Sequence, residues 1–157
     1  MRRVLQFAFL LALCGPATLF AQAAPAAPYA VEVSGKLPWT DTGIEVQRGQ
    51  TLRITASGEI RYLGGETANP AGLPRDWRDL MRSLPVNSAG RGGLIGRIGS
   101  NDNARAFSVG ESAEISVRVP GRLYLGINGP PGDSAEGVFH ATIFTLTPES
   151  GPATSKP

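Results

Sequence analysis

Between Tyr29 and Thr147 apolar and polar residues alternate in short runs with a period of two, the spacing of half-buried strands. Thr51 to Tyr62 shows it best. Leu52, Ile54, Ala56, Gly58 and Ile60 fall on one face, and Thr51, Arg53, Thr55, Ser57, Glu59 and Arg61 on the other. A slip of one residue would turn every charge inward, so the register of this strand is well specified. Gly58 lies on the apolar face, where a facing backbone is expected to come close. The same alternation places Val31 and Val33 on a first strand, Ile44 and Val46 on a second, and Leu94 to Ile98 and Ala106 to Val109 on two more. Ile115, Val117 and Val119 form another strand. Leu123, Leu125 and Ile127 form the next, after a Pro120-Gly121 turn, and Val138 to Thr147 forms the last. Gly35 to Gly43, with Trp39, reads as a turn-rich connection.

Leu63 to Gly93 breaks the rhythm and is long for a connection in a compact domain. Pro74 to Met81 carries helical spacing, with Pro74 near a first turn and Leu73, Trp77, Leu80 and Met81 on one face. That face predicts a lid packed by Trp77 over an open end of the sheet. About eight short strands with Gly/Pro turns and at most one short helix specify an all-β fold: a jelly-roll-like antiparallel β-sandwich, each sheet covering the other's apolar face.

The 157 residues suffice for one domain with a real core. The first 23 read as a secretory signal peptide: Arg2 and Arg3, the apolar run Val4 to Leu13, and the small-x-small site Ala21-Gln22-Ala23. Leu11 to Cys14 is a weaker match to a lipoprotein site, with bulky Leu13 against it. Residues 24–28 form an Ala/Pro linker, 29–147 the domain, and 148–157 a polar tail expected to be disordered. Cleavage leaves no cysteine, since Cys14 is the only one, so an exported chain must be stabilised by burial alone. It also removes two of 15 basic residues, leaving 13 against 13 acidic ones. A neutral domain offers no electrostatic footprint for nucleic acid, and the apolar segment is too short for a membrane span. The destination read from these features is secreted or periplasmic.

Catalytic chemistry is sparse. His140, the one histidine, lies within a strand without a partner set by motif, and no zinc ligand set is present. The glycine-rich Gly92 to Gly99 lacks the ending of a phosphate loop. The chain therefore reads as a binding protein and not as an enzyme. Trp39, Tyr62, Trp77 and Tyr124 are candidate platforms for the C–H face of a sugar, Tyr62 and Tyr124 at outward or strand-end positions. Asn128 to Gly137 (N-G-P-P-G-D-S-A-E-G) connects the last two strands and gathers the oxygens of Asp133, Ser134 and Glu136. It reads either as a solvated turn or as a cation or polyol site.

The segments V-E-V-S-G, W-T-D-T-G-I, T-A-S-G-E-I, G-G-L-I-G-R-I-G, R-L-Y-L-G-I-N and G-V-F-H-A-T-I occur in this order between Tyr29 and Thr147. Together they resemble the LecA-type (PA-I-like) galactose-binding lectin family. The resemblance implies a small jelly-roll sandwich with one calcium ion at a loop end, bridging protein and a terminal galactose. Carried over by position, Tyr62 supplies a backbone carbonyl to the metal and Asn128 matches an asparagine. Gly129 stands where the aspartate shared by calcium and sugar belongs. A threonine ligand falls near Asp133, and paired asparagines fall around Ser134 and Ala135, with Glu136 beside the matching Gly137. The sugar-contacting pair of the middle segment falls at Asp79 and Arg82 by a gap-free count from Gly92. The expected metal set is thus Tyr62, Asp133, Ser134 and Glu136, and the ligand set Asn128, Asp133, Tyr62, Asp79 and Arg82. Without the aspartate, calcium is expected no tighter than about 10⁻⁴ M. Two functions follow: a carbohydrate-binding module for a galactoside-like glycan with a degenerate calcium site, or a lectin-fold structural or protein-interaction module that has lost both ligands.

Overall fold

The computed structural model describes residues 27–77, 81–101 and 103–147. The proposed signal peptide, residues 24–26 of the linker, Leu80, Asp79 and the tail 148–157 lie outside them. Among the described residues nine strands make two sheets. β1 (Tyr29–Ser34), β9 (Ala135–Leu146), β3 (Thr51–Tyr62) and β4 (Thr67–Ala68) follow one another in the first, with β7 (Ser112–Ser116) paired to another stretch of β3. The second has the order β2 (Trp39–Val46), β8 (Gly121–Ile127), β5 (Leu94–Ile98), β6 (Phe107–Ser108). Every pairing is antiparallel. The all-β sandwich expected from the alternation is the observed architecture.

β3 and β9 are the spine. They pair without interruption from Thr51 opposite Leu146 to Tyr62 opposite Ala135. Of the predicted inner face of β3, Leu52, Ile54 and Ile60 are fully buried and Ala56 is half-buried, whereas Gly58 is exposed; Phe139 and Ile143 of β9 and Leu123 and Leu125 of β8 share the same core. Burying side chains of this size contributes about 1.5–3 kcal/mol each. Gly58 has φ near +109°, and a side chain there would meet the Val138 carbonyl at 2.6 Å, so the close backbone approach is real.

Three expectations need correction. β2 begins at Trp39, not at Ile44, because Trp39 to Asp41 pair with Gly126 to Tyr124 before a register shift between Asp41 and Glu45. The turn residues of that stretch mark a bulge inside a strand. β7 ends at Ser116, and Val119 is 62% exposed rather than inward. The long 63–93 segment is covered onto the sandwich by Leu84, Val86 and Ala89 instead of by Trp77, which is 70% exposed, as is Met81 at 83%. Val86 and Ala89 pack with Ile95, on the far side of β5 from the main core, against Trp39 and Ala106. The segment also holds β4, which no alternation announces because it is two residues long. No helix among the described residues is long and apolar enough to cross a membrane.

Candidate functional site

One end of the sandwich opens into a cleft of about 610 Å³. Its walls are the turn from Gly35 to Trp39, Tyr62 at the end of β3, Ser83 to Pro85, and Ile127 with the loop Gly129 to Ser134. Four stretches far apart in sequence meet there because β3, β8 and β9 all end or begin at that edge.

Asn128 lies beneath the loop and is completely buried. Its Oδ1 accepts the Val86 N–H at 3.0 Å, and its Nδ2 donates to the carbonyls of Val86, Ala89 and Gly90 at 3.0, 2.9 and 3.1 Å. Its backbone N–H donates to the Gly93 carbonyl, and its carbonyl accepts the Gly92 N–H. Both N–H groups of the amide are committed, and its oxygen, already accepting one bond, is sealed from solvent and does not line the cleft. Asn128 pins segment 84–90 onto β8.

Asp133 is equally engaged. Arg91 donates Nε and Nη2 to its two oxygens at 2.7 and 2.9 Å, the bidentate arrangement that a planar guanidinium and a carboxylate share. Nη1 of Arg91 reaches Glu66 at 3.0 Å, and the guanidinium carbon lies 3.8 Å from the centre of the Tyr62 ring. The hydrogen bond to Asp133 holds the guanidinium more firmly protonated than usual. Tyr62 is only 5% exposed, not outward, since its even-numbered position shares the inner face of Ile60. Its hydroxyl is buried without a hydrogen-bond partner among the described residues. Burial first, and the nearby Asp133 charge second, push its phenol up to about 12.

Ser134 lines the cleft, but Glu136 does not. Glu136 is exposed and sits 3.8 Å from Lys36. Arg82 is exposed next to the lining residue Ser83, and Asp79 lies outside the described residues. The Tyr62 carbonyl accepts the Gly65 N–H at 2.9 Å. Calcium asks for six to eight oxygens, several of them charged. Here Asp133 is bonded to arginine through both oxygens, Asn128 is buried and committed to segment 84–90, and Glu136 stands away from the cleft. No group of three or more acidic, histidine or cysteine side chains poised for a metal occurs among the described residues. At Gly129 an added Cβ would lie 3.0 Å from Asp133 Oδ2, so a carboxylate there would crowd the existing one. This donor set does not fit a calcium ion.

The residues missed in sequence are Arg91 and Glu66. Arg91 stands alone in a glycine run, and its acidic partners lie 42 and 25 residues away, so no local spacing marks it. Lys36 and Leu37 also line the cleft unannounced. Trp39 does face it, while its ring takes Arg97 at 4.4 Å on the outer side of the sheet, where Arg97 also meets Tyr124 at 5.4 Å. His140 is on the surface of β9, 3.7 Å from an exposed Glu32.

No protein-family model matches the chain, and no curated protein matches it. Among solved structures, the N-terminal domain of EclA, a PllA-like lectin, is similar with a TM-score of 0.56 and 21% sequence identity. The likeness covers 74% of this chain and 95% of that one. At this identity it is a likeness of fold, to a lectin domain in general and not to the LecA type in particular.

Proposed function

We propose that this chain is a carbohydrate-binding, lectin-like module, that its sugar site is the cleft between Trp39, Tyr62 and the 129–134 loop, and that it binds without turnover. The observation that carries this reading is the composition of the cleft. It joins the aromatic residues Trp39 and Tyr62 and an apolar wall of Leu37, Leu84 and Ile127 to the polar rim of Lys36, Ser83 and Ser134. Sugars are held by this combination of ring faces and hydroxyl-directed polar groups. The lectin fold of the neighbour supports it, and the resemblance to galactose-binding lectins makes a galactoside-like glycan the first class to try. The reading of residues 1–23 as a signal peptide makes the site of action extracytoplasmic, and secreted material should begin at Ala24.

A glycan array tests the function, followed by titration of the best ligand into the wild type and Trp39→Ala. Specific binding that Trp39→Ala weakens about tenfold or more supports the cleft, as one lost stacking contact of roughly 1–2 kcal/mol predicts. A second reading, a structural or protein-interaction module, is favoured by one observation: Asn128 and Asp133 are both spent on internal bonds. An array without any specific glycan selects it.

A further inference from the structure

Beside the cleft the chain carries a positive charge of its own in a place built to hold one. The Arg91 side chain is only 14% exposed, and that of Asp133 19%. The partners of the guanidinium come from three pieces of chain: Tyr62 from the end of β3, Glu66 from the turn before β4, and Asp133 from the cleft loop. Gathering carboxylates from separate loops around one cation is what a structural metal ion does. A guanidinium achieves it with fixed, directional N–H bonds, and its flat face can lie on an aromatic ring as an ammonium's cannot. Bidentate pairing engages both Asp133 oxygens, and a second cation beside the first would be repelled by it.

We propose that Arg91 is the resident cation of this site. It takes the electrostatic place of a divalent ion, so that the loop is ordered and the cleft competent for its ligand without metal and in the presence of chelator. Only the statement about the ligand rests on the carbohydrate reading; the ordering of the loop does not.

The test is thermal melting of the wild-type chain in millimolar calcium and in chelator, with calorimetric titration of calcium alone. Identical melting temperatures and no heat of binding are expected. A melting temperature several degrees higher in calcium overturns the proposal. Arg91→Met should lower the melting temperature by about 5–10 °C, because it leaves Asp133 partly buried and unpaired. Arg91→Lys should recover part of that loss, since a point charge lacks the fork. An Arg91→Met protein that melts with the wild type overturns the proposal, and should it fail to fold, the wild-type titration decides alone. Running the glycan array in both buffers separates the two readings. Binding in calcium only refutes the resident cation and keeps the sugar site. Unchanged melting with no glycan bound in either buffer refutes the sugar site and keeps the resident cation.

Discussion

Along the middle of β3 and β9 the large fully buried side chains are Leu52, Ile54, Ile60, Phe139 and Ile143, none of them polar. At the cleft end the side chains that hold the structure are Asn128, Tyr62, Arg91 and Asp133, every one polar or ionisable. The first region is held by area removed from water, which tolerates any apolar group of suitable volume. The second is held by directional bonds with particular partners, where each group costs free energy when a partner is lost. A site that must keep one shape to receive a ligand gains from the second kind of construction, and a core that only has to fill space does not need it.

Substitutions can break this contrast, and the largest effect belongs to the spine. Phe139→Ala should cost about 3–5 kcal/mol in chemical denaturation, through lost burial and the cavity left behind. With a single cysteine the chain has no internal disulfide to compensate, so that is a large share of a typical domain's stability. Asn128→Ala should cost about 2–4 kcal/mol, because it deletes four hydrogen bonds and leaves the Val86 N–H and carbonyl short of partners. Hydrogen exchange should then report opening of 84–90 while β3 and β9 stay protected, which an ordinary loss of core packing would not produce.

Tyr62→Phe should do the reverse and raise stability by about 1 kcal/mol, because the phenol hydroxyl is buried with no hydrogen-bond partner among the described residues. It also has a signature in pH. The folded phenol deprotonates near pH 12, above its ordinary value of 10.0, so its neutral form is favoured by folding. That contribution is complete below pH 10 and is lost as pH rises through 12. The wild type should destabilise across that window, and Tyr62→Phe should destabilise less. The smallest effect belongs to Arg122→Ala. Arg122 pairs with Asp41 at 2.8 Å and its hydrogen bond holds that carboxyl below its usual pKa, yet both groups are exposed. Thermal melting should not distinguish the variant from wild type.

The two regions also differ in how far they were legible. A period of two is local, so Leu52 to Ile60, Leu123 to Ile127 and the β-sandwich could be read from neighbours in sequence. That rule misled at Val119, where a strand pattern continued past the last pairing residue, and helical spacing misled at Trp77, where it implied burial for a side chain that is exposed. The cleft loop was recognisable as a candidate because Gly, Pro and Asp mark it. What its acids do was not, since the fate of Asp133 depends on an arginine 42 positions away. Asn128 likewise looks like a ligand until the carbonyls of Val86, Ala89 and Gly90 are brought beside it. Topology creates these contacts, and no pattern within one segment carries them.

The central claim is that this polar end is the carbohydrate site and works without metal. Its most direct test is backbone amide NMR of the isotopically labelled wild type in chelator, titrated with the glycan that scores highest on the array. The account predicts shifts confined to 35–39, 83–85 and 129–134, with the amides around Arg91 and Glu66 following as the loop tightens. No shifts at all would contradict it. So would shifts clustered at the opposite end of the sandwich, where Ile98, Phe107 and Arg118 line a second cleft.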